Sequence, residues 1–282
     1  MYECVNYHTQ SERPLFTMKT SCAVLLIALF CTFPGHQELN AQHNKTAPSL
    51  SRFVDLTVKD PVYIAKEINQ KDLGLLFAAG VTIAGIATFD RRSSVYFQSR
   101  FRNNHFLGAV NELGNFNYIA PISAALFGTS LLSDNHKFQD AAFTSLQSVL
   151  YTYISVNTLK FVFARERPSQ NSSPYVFNFF ERNATALPSG HSSNAFALVV
   201  PWVVYYPGVV TYSLLALPVG TAIARVSKGE HWMSDVYAGA LIGAFWGYRL
   251  SKRHLNLSGP ENVALTPFFR KNGGGVSLNI TF

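Results

Sequence analysis

Six apolar stretches, at 73–89, 118–132, 141–164, 193–206, 209–226 and 236–250, constrain this chain more than any other feature. Each is rich in Ala, Leu, Gly and Phe and too long for an ordinary strand, so the pattern favours helices. No fixed-period repeat links them. The tail reads differently: "VALTPFF", the Gly-rich "RKNGGG" and "VSLNITF" have the form of strand, turn and strand. The expected fold class is all-α, a bundle of about six apolar helices with a short C-terminal β-hairpin. Most of the runs lie near the roughly 17-residue minimum for crossing a bilayer. The third carries Thr144, Gln147, Thr152, Asn157 and Thr158, which suit a buried bundle helix better than a lipid-facing one.

Only 14% of the 282 residues are charged and 48% are hydrophobic, which points to a membrane protein or an unusually apolar bundle. The net charge of +7 fits an anionic partner or membrane surface. Its cations are scattered and no binding motif accompanies them, so no nucleic acid partner is expected. Met18-Lys19-Thr20 followed by "SCAVLLIALFCTF" reads as a secretory signal, with Leu39-Asn40-Ala41 as its cleavage site. Cys4, Cys22 and Cys31 all precede that cut, which removes disulfides and thiol catalysis from the mature chain. The domain reading is 1–41 upstream residues and signal peptide, 42–70 polar leader and first helix, 71–255 helical core, and 256–282 hairpin tail.

Three segments concentrate anion-binding chemistry. In "KFVFARERP", Lys160 and Arg167 are seven apart, close to two helical turns, and Pro168 puts Arg167 at the helix exit. Alone, this is a basic helix end complementing the macrodipole. In "LPSGHSSNAF", Pro188-Ser189-Gly190 precedes an apolar helix, whose free N–H groups make a phosphate site with His191 at its edge. In "ARVSKGEHWMSDV", His231 and Asp235 are four apart, so on a helix the carboxylate can hold one imidazole nitrogen. Arg225 lies six residues before His231, across a loop containing Gly229. Singly, each segment has an ordinary surface or capping explanation. Together they supply three cations, a helix start and two histidines to one device.

The three segments resemble the signature of the type 2 phosphatidic acid phosphatase and vanadium haloperoxidase superfamily: K-x6-RP, then PSGH, then SR-x5-H-x3-D. Only Ala224 departs from it, standing where the family usually has Ser. The resemblance covers about residues 73–250 and implies the phosphatase branch. It implies that Lys160, Arg167 and Arg225 grip phosphate oxygens, with Ser189 and the Gly190 N–H completing the cradle. It further implies that His231, oriented by Asp235, attacks phosphorus to form a phosphohistidine, and that His191 protonates the leaving oxygen. Neither cofactor nor metal is expected, and vanadate is expected to inhibit as a phosphate mimic. A metal bound by His191, His231 and Asp235 would be repelled by the three cations. A vanadate-dependent haloperoxidase and a non-catalytic envelope protein on the same scaffold are the alternatives.

A phosphorylated lipid or a small phosphomonoester is the implied substrate, with membrane association. The aromatic segment around Tyr175, Phe177, Phe179 and Phe180 reads either as a lid or as a loop packed on the bundle. If the signal is cleaved and all six runs cross, the motifs face the cytoplasm, whereas integral members of the family work on the outer face. The reading that removes this conflict is an exported protein, periplasmic or membrane-associated, of a Gram-negative bacterium, whose helices do not all span.

Overall fold

Short polar links ending in asparagine start much of this fold. The computed structural model describes residues 50–170, 173–182 and 184–255, and the backbone of 263–270 and 273–280. Helix α1 is Leu50–Lys66, α2 Gln70–Ala87, α3 Asp90–Phe101, α4 His105–Glu112, α5 Phe116–Ser130 and α6 His136–Phe163. Asn69 caps α2, Asn104 α4, Asn115 α5 and Asn135 α6, each side chain accepting from a first-turn N–H. Then follow α7 Gly190–Tyr205, the short α8 Val209–Ser213, α9 Ala216–Ser227 and α10 Met233–His254.

The described residues are mostly helical, as the apolar runs require. The six runs become α2, α5, α6, α7, the α8–α9 pair and α10. Helix α1 lies where a first helix was expected, whereas α3 and α4 have too few apolar residues to stand out. Helices α6, α7 and α10 pack on one another and form the centre of the bundle. Ile119, Val149 and Ala197 fill one part of the core, and Ala141, Tyr205 and Leu255 another. Thr144, Gln147 and Thr152 are buried, while Asn157 and Thr158 bond back to the carbonyls of Tyr153 and Ile154.

Two glycines set the closeness of α7 to α10. A Cβ on Gly239 would lie 2.4 Å from the Ser189 carbonyl oxygen, and one on Gly243 2.1 Å from that of Ser193. No other residue allows that approach. The start of α7 is thereby pressed against the first turns of α10.

Two stretches of the described residues, Gln70–Ala87 and Val209–Ser227, are long and apolar enough to cross a membrane. On α2, Leu73, Leu75, Leu76, Phe77 and Val81 are exposed. Residues 263–270 and 273–280 pair antiparallel, Val263 opposite Ile280. Their side chains are outside the description, and the hairpin as an element of the fold stays a proposal. The signal sequence, its cleavage site and the three cysteines also lie outside the described residues.

Candidate active site

The three segments converge through the loop leading into α7. Helix α6 ends at Phe163 because Ala164 turns into the left-handed region, with φ 40°. Lys160 and Arg167 therefore do not share a helical face. They meet at Thr185 instead: Lys160 Nζ donates to its carbonyl, and Arg167 Nη2 to its hydroxyl at 3.1 Å. Arg225 leaves the last turn of α9, before the left-handed Gly229, and donates to Asn111 Oδ1 at 3.2 Å. Its Nε is buried and has no acceptor among the described residues. Burial first, then Arg167 and Arg225, push the Lys160 ammonium down to about 8, with Asp235 opposing.

Ser189 is the N-cap of α7, fully buried, its hydroxyl accepting from the Ser192 N–H at 3.4 Å. The Gly190 and His191 N–H groups find no acceptor among the described residues, as expected of a helix start poised for an anion. His191 is held down to about 4, first by burial, then by Arg225, Lys160 and Arg167, with Glu112 opposing. Near neutral pH its imidazole is therefore uncharged.

His231 departs from the expected arrangement. It precedes α10 instead of lying on it, so the i,i+4 geometry with Asp235 does not apply. Its Nδ1 sits 2.7 Å from the Ala186 carbonyl and 3.7 Å from Asp235 Oδ2. A carbonyl only accepts, so Nδ1 carries the proton and Nε2 the lone pair. Burial, with Lys160, Arg225 and Arg167 nearby, holds this ring well below the ordinary histidine range. The result is a buried, neutral, fixed imidazole, the state a nitrogen nucleophile requires.

Asp235 belongs to a network that sequence reasoning missed. Its Oδ1 accepts from Arg165 Nη1 at 2.5 Å and its Oδ2 from the Trp232 N–H at 2.8 Å. Arg165, itself buried, also bonds Asp90 Oδ2 at 2.7 Å and Ser234 Oγ at 2.7 Å. The Arg165 carbonyl accepts from the Ala186 N–H at 2.9 Å, so one residue supports both the Asp235 carboxylate and the carbonyl on His231. Arg165 also bonds the Pro174 carbonyl and lies over the Phe177 ring, pinning that loop, while Tyr175, Phe179 and Phe180 stay exposed. An arginine two residues from a motif arginine was the available signal. Asp90, directly after an apolar run, was another.

A helical bundle that gathers cations, free helix-start amides and a fixed neutral imidazole defines a histidine-centred, anion-binding site. Residues 141–257 match the family model of the PAP2 superfamily. Over 243 residues it is 24% identical to the lipid A 1-phosphatase of Porphyromonas gingivalis, an alignment covering 82% of this chain and 50% of that protein. The chain thus spans about half the length of this curated relative. Among solved structures, the transmembrane PAP2 type phosphatidylglycerolphosphate phosphatase from Bacillus subtilis matches with a TM-score of 0.52 and 19% identity. That match covers 65% of this chain and 97% of the other, and the likeness is one of fold.

Proposed function

We propose that this protein is a metal-independent phosphatase that hydrolyses phosphorylated lipids or small phosphomonoesters through a phosphohistidine on His231. The observation that carries the reading is His231 itself: its Nδ1–H is spent on the Ala186 carbonyl, and its neutral ring lies beside three cations. Lys160, Arg167, Arg225 and the Gly190 N–H hold the non-bridging oxygens, with the Ser189 hydroxyl beside them. Nε2 attacks phosphorus, the P–O bond to the leaving group breaks, and His191 supplies the proton to the departing oxygen. Water then attacks the phosphohistidine and releases phosphate. Burial and then the cations keep His191 neutral; a bound phosphate dianion offsets the cations, so His191 acquires its proton together with substrate. Asp235 fixes the backbone beside His231 more than the ring itself.

A lipid substrate is favoured by the family, by the name of the P. gingivalis relative and by the exposed apolar face of α2. Membrane association, export to the envelope, a phosphatase core at 71–255 and a C-terminal hairpin at 263–280 complete the proposal.

The test is alkaline-quench trapping of the phosphoenzyme alongside phosphate release from lipid and soluble esters. Wild type should accumulate an acid-labile, base-stable phosphoryl adduct, vanadate should inhibit and EDTA should not. His231→Ala should yield no adduct. An adduct surviving in His231→Ala, or loss of activity in EDTA restored by zinc, would sink the mechanism.

A further inference from the structure

Among the described residues, the carboxylate that bonds both arginines of the cradle is Glu230. Its Oε2 meets Arg167 Nη1 directly and lies 3.5 Å from Arg225 Nη2. One anionic oxygen thus lies between two guanidinium groups, the donor pattern that a non-bridging phosphate oxygen would satisfy. Resting on the phosphatase reading above, we propose that Glu230 is the internal counter-anion of the cradle. Its carboxylate holds the two arginines until substrate phosphate displaces it, and so sets how strongly the site takes up phosphate.

Three further features support displacement over a permanent brace. The side chain is a third exposed, with solvent on one side into which it can swing. Its backbone does not need to move: the Glu230 N–H stays on the Arg225 carbonyl at 3.1 Å, just after the left-handed Gly229. Arg225 also keeps a buried Nε without an acceptor while Glu230 is in place, so the carboxylate does not saturate the site. A dianionic phosphate and the Glu230 carboxylate cannot both lie between these arginines without mutual repulsion. One must leave, and the side chain is free to do so.

The experiment is competitive inhibition of the full-length protein by inorganic phosphate, with Glu230→Gln and Glu112→Gln as variants. Glu112 lies one step further out, accepting from Asn111 Nδ2 at 2.9 Å, while Asn111 Oδ1 accepts from Arg225. Its neutralisation therefore controls for a general change of charge. Displacement predicts that Glu230→Gln lowers the inhibition constant about tenfold, and Glu112→Gln by less than twofold. A brace predicts the opposite sign, weaker inhibition in Glu230→Gln. Weaker or unchanged inhibition, or an equal gain in both variants, overturns the proposal about Glu230. If wild type turns over no phosphate ester and binds no phosphate, the phosphatase reading itself fails.

Discussion

Two histidines of this molecule, His231 and His254, each have a side chain buried near an aspartate, yet their ring nitrogens are committed differently. His254, at the end of α10, has Nε2 2.9 Å from Asp60 Oδ2 and Nδ1 2.7 Å from the Thr144 hydroxyl. Both ring nitrogens are spent. Asp60 is saturated in turn, accepting from Gln147 Nε2 at 2.8 Å and Arg253 Nε at 2.5 Å. His231 spends one nitrogen on a backbone carbonyl and, among the described residues, keeps the other. The carboxylate is closer to the ring at the structural histidine than at the proposed nucleophile. A nearby aspartate therefore does not separate the two histidines; under the proposed function, the uncommitted nitrogen beside the cations does.

The sharpest way to break this contrast is to remove each ring in turn. His231→Ala should lose at least about a thousandfold in turnover, roughly 4 kcal/mol of barrier, with its thermal midpoint nearly unchanged. His254→Ala should do the reverse, destabilising by about 3 kcal/mol because Asp60 is left buried without one of its partners. Its turnover per folded molecule should stay within about twofold of wild type. Calorimetry and single-turnover assays on both variants decide it; matching losses in the two would erase the distinction.

A smaller effect sharpens the comparison at the aspartates. Asp235→Asn should cost about ten- to a hundredfold in kcat, because the Ala186 carbonyl still holds the His231 ring. Burial pushes the Asp235 carboxyl up to about 6, with Arg165 and the Trp232 N–H opposing and Asp90 adding. Wild-type kcat should therefore fall as pH drops through about 6, and Asp235→Asn should lack that limb. A limb at the same pH in the variant would assign it to another group.

The two carboxyls should also act on stability with opposite signs. A raised Asp235 takes up a proton more readily folded than unfolded, so it adds stability as pH falls from about 6 towards 4. At Asp60, burial alone would raise the carboxyl, but His254, Arg253 and Gln147 outweigh it and hold it below its ordinary 3.8. Its contribution is complete above that value and is lost as pH falls through the lower, folded one. Acid titration of Asp60→Asn by circular dichroism should remove only that lower transition. A variant that unfolds in acid just as wild type does would show that Asp60 does not control it.

The helical class could be read from the apolar runs, and the eight candidate residues from three short segments. Lys160, Arg167 and Arg225 do converge beside His191 and His231, though by routes the spacing did not suggest. Helical periodicity was extended past Ala164 and back before Met233, where the chain has already left the helix. Supporting contacts were harder to see because they join residues distant in sequence: Asp90 with Arg165, Asn111 with Arg225, Ala186 with His231. Backbone acceptors such as the Ala186 carbonyl have no residue-type signature at all. Gly239 and Gly243 did leave one, small residues four apart on an apolar helix, but spacing alone does not say which helix they admit.

Those two glycines also bear on how such a protein can change over generations. At Gly239 and Gly243 main chain meets main chain, so no side-chain volume lies between the two helices to be trimmed or enlarged by degrees. Substitution there is all or nothing, and the distance from cradle to nucleophile is inherited as a unit. The side chains of Tyr175, Phe179 and Phe180 are under no such restriction, being open to solvent. Descendants of one ancestor can therefore exchange what they recognise while the reacting atoms keep their spacing.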